Sequence, residues 1–131
     1  MNRREAREKS LQALYQIDVS GANPAEAIRN VVPEEVDDSY VHQCVLGTYE
    51  HLDEIDDCIK QHLENWSFDR LAKVDRNILR LAVYEMKYRE DVPANVAINE
   101  AVEIGKRFGD ERSGKFINGV LSRIKKSLEN K

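Results

Sequence analysis

Between Val92 and Leu128 the apolar residues recur at a helical spacing, break off, and begin again. This double pattern constrains the fold more than any other stretch. In the first run Ala97, Ile98, Ala101, Val102, Ile104 and Phe108 line one side of a helix. Pro93 and Asn95 stand before it as start signals, and Gly109 follows as a stop. In the second run Ile117, Val120, Leu121, Ile124 and Leu128 form a narrow stripe at i, i+3, i+4, i+7 and i+11. A turn at Gly109-Asp110 joins the two.

The other side of the second helix carries a different chemistry. At about 100° per residue, Arg112, Lys115, Phe116, Gly119, Arg123 and Lys126 share an arc of roughly 100° that no acidic residue enters. Two readings are open. One is an ordinary solvated face. The other is a small basic platform with an aromatic at its edge, suited to single-stranded nucleic acid.

Charge is distributed unevenly. The net charge of −4 argues against a general nucleic-acid binder. Residues 1–10 hold four basic and two acidic groups, residues 33–69 eleven acidic and one basic, and residues 105–131 eight basic and three acidic. Basic ends and an acidic middle suggest separate surfaces, one for an anion and one for a basic protein. The alternative is that the acidic residues merely keep helices soluble.

The remaining pattern is also helical. A first helix is expected from Asn2 to about Ser20, with Glu5 placed for a capping box and Gly21 as its stop. Ala6, Ser10, Ala13, Leu14 and Ile17 form its core side. Arg4, Arg7, Leu11 and Tyr15 share a neighbouring sector of about 80°; Leu11 and Tyr15 either widen the core stripe or extend a basic, aromatic surface. Asn23-Pro24 opens a short helix that ends before Pro33. A long run begins near Asp37 or Asp38, with a break expected around Gly47–His51. Asn65–Phe68 is the expected internal boundary, and a further helix ends by Asp91, ahead of Pro93. No stretch alternates like a strand. The 131 residues therefore predict one all-α domain, residues 1–131. Its about seven helices would form two packed bundles, near 1–65 and 66–131.

Catalytic and metal motifs are absent or misleading. Gly109 to Lys115 fits G-x-x-x-x-G-K, but Phe116 stands where a phosphate-binding loop needs Ser or Thr, and no strand precedes it. What survives is a modest anion site at a helix N-terminus. His42, His51 and His62, with Cys44 and Cys58, match no zinc pattern. No catalytic residue, metal or cofactor is expected. With no long apolar run and no secretory leader, the expected location is the cytoplasm.

Ala6-Arg7 with Leu11-Gln12-Ala13-Leu14-Tyr15, Arg76 to Met86, Asp91-Val92-Pro93, Val96 to Glu103, Phe108-Gly109 and Lys115 to Leu121 form a linked series of segments. In this order they resemble the bacterial transcription antitermination factor NusB family. The resemblance spans almost the whole chain, with the acidic stretch 33–63 matching by pattern only. It implies an all-α fold of two bundles and no catalysis. It further implies binding to the boxA element of ribosomal RNA leader transcripts jointly with NusE, a small-subunit ribosomal protein, within the RNA polymerase antitermination complex. Carried over residue by residue, it places RNA contacts at Arg3, Arg4, Arg7, Tyr15, Lys115, Phe116 and Asn118. The basic arc adds Arg112 and Arg123. Arg112 departs from the family pattern, standing where an acidic residue is expected in some relatives. Asp75 and Arg76 are the expected contacts to NusE. Two other readings remain: a dimerising helical scaffold, and a stand-alone relative of the N-terminal domain of ribosomal RNA cytosine methyltransferases.

Overall fold

The structure, a computed structural model, describes residues 1–130; Lys131, the last residue of the expected domain, lies outside the described residues. Among the described residues there is no strand. The helices are α1 (Arg3–Ser20), α2 (Pro24–Val31), α3 (Ser39–Glu50), α4 (Leu52–Gln61), α5 (Lys73–Tyr88), α6 (Ala94–Phe108) and α7 (Ser113–Glu129). One 3-10 turn, Phe68–Arg70, leads into α5.

The helix ends follow from local chemistry. The Asn2 side chain accepts the Glu5 backbone N–H at 2.8 Å and starts α1. Gly21, at φ 70°, ends it in a left-handed conformation that few other residues adopt cheaply. Asn23 Oδ1 accepts the N–H groups of Ala25 and Glu26, and Pro24 occupies the first turn of α2. The long apolar run does break where expected, at His51, between α3 and α4.

Helix α5 lies at the centre and packs against α1, α3, α4, α6 and α7. Its residues from Arg76 to Glu85 are all buried. α1 to α4 gather on one part of its surface, α6 and α7 on another, and one continuous apolar core runs through both groups. The α6–α7 contact is close: a Cβ on Gly105 would stand 2.7 Å from Ile117 Cδ1, so any side chain there would make Ile117 shift.

Burying α5 means burying Arg76, Asn77, Arg80 and Glu85 too, and each of these four finds a partner. Arg76 donates to both Asp18 oxygens, and Asn77 Nδ2 to Asp18 Oδ2. Arg80 meets Asp56 through Nε and Nη2, at 2.8 and 2.9 Å. Glu85 receives Arg7 Nε at 3.0 Å on each oxygen, and the Tyr40 hydroxyl as well. A buried charge without such pairing would cost several kcal/mol. Burial works to raise the Asp18 pKa, but the hydrogen bonds from Arg76 and Asn77, with Arg80 nearby, outweigh it and hold the carboxyl below its ordinary range.

Candidate nucleic-acid interface

Helix α7 has the expected register. Ile117, Val120, Leu121 and Ile124 are fully buried. Lys115 and Asn118 are exposed, and the Arg112 side chain is 82% exposed. Phe116, Gly119 and Arg123 lie between these sides, half-buried. Phe116 packs partly on the core, and its ring meets Trp66 edge-on with centroids 6.2 Å apart. Arg123 is not a freely swinging cation. Its Nε donates to the His62 carbonyl at 3.0 Å and lies 3.7 Å from Glu64.

Helix α6 adds two cations that the sequence reading did not single out. The Lys106 stem runs beside Gly114, where an added Cβ would stand 3.1 Å from Lys106 Cγ. Arg107 pairs with Glu8 of α1 at 2.5 Å. Arg4 pairs with Glu100 at 2.6 Å, and this contact keeps the Glu100 carboxyl below its ordinary range. These two pairs tie α1 to α6. Between them opens a cleft of about 270 Å³ lined by Arg4, Glu8, Glu103, Ile104, Lys106 and Arg107. Cations from α1, α6 and α7 thus follow one another across the surface, interleaved with glutamates at the α1 end.

The other expected residues fall in several places. Arg3 is turned the other way from Arg4: its guanidinium lies 3.9 Å over the Tyr40 ring, and it pairs with Asp91 at 3.3 Å. Tyr15 is 40% exposed, on the side of α1 that carries Arg4 and Glu8, whereas Leu11 belongs to the core. Each of the two residues therefore follows a different one of the two readings.

Two expectations need correction. Arg7 is 4% exposed and held by Glu85 and Glu100, so it does not line a surface with Arg4. Arg76 is likewise buried on Asp18 rather than presented to a partner. In both cases a carboxylate from another helix draws the guanidinium inward. Such a partner is invisible to a one-helix projection.

Asp75, in the first turn of α5, is half-buried, and its Oδ1 has no hydrogen-bond partner. Burial raises its pKa; Ser113 opposes the shift and Asp110 adds to it. This places the start of α5 beside the start of α7. The phosphate-loop lookalike is a tight turn ahead of α7, which starts at Ser113 without a side-chain cap. Asp110 Oδ1 accepts the Arg112 N–H at 2.8 Å, and Asp110 N donates to Ser113 Oγ at 2.9 Å.

Missing Lys106 and Arg107 has a plain cause. At the end of a helix two cations read as complements of its dipole. Trp66 lies outside any periodic pattern and carried no signal at all. Among the described residues, no group of three or more His, Cys, Asp or Glu is arranged to hold a metal ion. Among them, too, no helix is long and apolar enough to cross a membrane.

Over 129 residues the chain is 57% identical to the transcription antitermination protein NusB of Bacillus subtilis (strain 168), covering 98% of each chain. Its fold superposes on T. maritima NusB with a TM-score of 0.89 at 41% identity, covering 96% of this chain and 92% of that one. It also superposes on a structure of antitermination factors NusB and NusE in complex with dsRNA, with a TM-score of 0.86 at 38% identity, covering 95% and 96%. Residues 4–126 match the family described as NusB, and the chain belongs to that family.

Proposed function

We propose that this protein is a transcription antitermination factor that binds boxA-type RNA of ribosomal RNA leader transcripts together with NusE and joins the RNA polymerase antitermination complex. It works in the cytoplasm, as a single RNA-binding domain, by binding and without catalysis. One observation carries the reading: α7 buries Ile117, Val120, Leu121 and Ile124, exposes Arg112, Lys115 and Asn118, and holds Phe116 and Arg123 half-buried at the edge of that exposed side, so that cations flank a ring. Cations fix the phosphates and the ring takes a base, a combination that suits single-stranded nucleic acid. Arg4 and Tyr15 of α1 extend the surface, Lys106 and Arg107 of α6 bridge it, and Arg3 adds charge at its margin. The NusB–NusE–dsRNA structure of a relative supports RNA and NusE as partners. Asp75 is the proposed NusE contact. Exposed acidic groups of α4, among them Asp53, Glu54 and Asp57, offer complementary charge to a basic protein.

The test is fluorescence anisotropy with a labelled boxA RNA, with and without NusE. Binding should tighten when NusE is present. Loss of one phosphate contact, as in Lys115→Ala, should flatten the log–log salt dependence by about 0.7. Affinity for boxA equal to that for unrelated RNA, with and without NusE, would refute the assignment.

A further inference from the structure

The loop between α4 and α5 brings to this surface a residue that the reading above does not use. Trp66 is the only tryptophan of the chain, and its side chain stands out at 56% exposed. The loop that carries it is anchored on both sides. Before Trp66, the His62 carbonyl and the Glu64 carboxylate are held by Arg123 of α7. Asn65, at φ 66°, then turns the backbone through a left-handed conformation. After Trp66, Phe68 is buried in the core. An indole this large, pinned in place and left open to water, is positioned to receive something flat and apolar.

Its surroundings say what. The Trp66 and Phe116 planes stand 70° apart. One turn along α7, Gly119 has no side chain, and a Cβ there would meet only Arg123 Nη1, at 3.5 Å. The two rings therefore border an open floor flanked by a guanidinium, with the exposed Lys115 ammonium on the adjoining turn. Aromatic faces beside cations fit an occupant that alternates flat rings with negative charge.

We infer that Trp66 is a second base-stacking ring, and that Trp66 and Phe116 together seat two unpaired nucleobases with a bend in the strand between them. The inference rests on the RNA-binding reading and deepens it. Two bases each lying flat on rings 70° apart cannot stack on one another. The strand must turn between them, which a single strand does and a continuous duplex does not. A duplex engages the cations of α6 and α7 through its backbone without using the rings.

The test takes the full chain and a single-stranded RNA of about 12 nucleotides, within the span such sites cover. The same RNA annealed to its complement is the second probe, and each carries a terminal dye. Dye anisotropy reports binding, and the emission of the sole tryptophan reports stacking. With the single strand, quenching should follow the anisotropy curve; with the duplex, emission should stay unchanged. Trp66→Ala should weaken single-strand affinity by roughly 5- to 150-fold. It should leave the salt slope and the duplex affinity as they are, because no cation is lost. Trp66→Phe should keep most of the affinity. Single-strand binding without quenching, together with wild-type affinity in Trp66→Ala, would overturn the inference and leave RNA binding intact. Quenching by a basic protein partner alone, with none on adding RNA, would assign the ring to a protein interface and overturn it as well. Absence of any RNA binding would take down both readings. If Trp66→Ala unfolds, as circular dichroism would show, the quenching of the wild-type protein still decides.

Discussion

Replacing Arg7 by methionine separates a core arginine from an RNA-contacting one. The side chain is 5% exposed, with Nε at 3.0 Å from both Glu85 oxygens and Nη1 at 3.5 Å from Glu100. Methionine fills similar space but leaves Glu85 buried with the Tyr40 hydroxyl and no cation. Breaking one side of a buried pair costs about 3–5 kcal/mol. For a domain of this size that lowers the thermal midpoint by roughly 10–20 °C. Removing the whole network, as in Arg7→Met/Glu85→Met with Tyr40→Phe, should recover most of the loss, since apolar replacements of buried pairs are often neutral. Thermal unfolding by circular dichroism reads the first quantity, and the salt dependence of RNA anisotropy reads the second. Below its midpoint, Arg7→Met should keep the wild-type slope, whereas Arg4→Met should flatten it by about 0.7 with its midpoint nearly unmoved. A stable Arg7→Met with a flattened slope would refute the burial argument and return Arg7 to the RNA surface.

Other perturbations test neighbouring points. Ile117→Ala, at the centre of the α7 stripe, should cost about 2–5 kcal/mol of stability; Phe116→Ala should cost less stability and more RNA affinity, and the reverse order in paired denaturant and binding titrations would displace the helix register. Asp75 is raised by burial, so its proton is bound more tightly in the folded state, and its contribution to stability is present at low pH and lost as pH rises through the folded pKa. Asp75→Asn should therefore lift the unfolding midpoint at neutral pH, with the gain vanishing in acid; a midpoint difference independent of pH would contradict this. Asp18 has the opposite sign: its lowered pKa supports the fold above the ordinary aspartate range and is lost as pH falls through the folded value. Asp18→Asn should be destabilised at neutral pH and lose less than wild type on acidification, read as the midpoint against pH. Asp75→Lys should slow association with NusE and spare helicity, and unchanged stopped-flow kinetics would move that interface elsewhere.

The sequence carried the helices well because their ends are local events. Asn2, Asn23, Pro93, Gly21 and Gly109 act within one turn of where they stand, and each marks the boundary seen in the structure. The α7 face was legible for the same reason, since Lys115 and Ile117 belong to one helix. Arg7 and Arg76 were not, because Glu85 and Asp18 reach them across 78 and 58 residues. Lys106 and Arg107 enter the surface only once α6 lies between α1 and α7. Trp66 needed the Arg123 contact to His62, which no period encodes. The Asn65 left-handed turn was equally unmarked, since asparagine adopts it in many loops and declares it in none.

The position of α5 sets how the molecule comes apart. Loss of α2 or the α4–α5 loop exposes little of that helix, but freeing its backbone N–H groups requires both helix groups to leave it. In hydrogen–deuterium exchange the amides from Arg76 to Glu85 should therefore be the last to exchange, at the rate of global unfolding, while the ends of α2 exchange early. Neither half of the chain retains that protection alone, because each would present one flank of α5 to water together with its arginines. Unfolding should accordingly show one calorimetric transition, with the partner surfaces of both helix groups held or lost together.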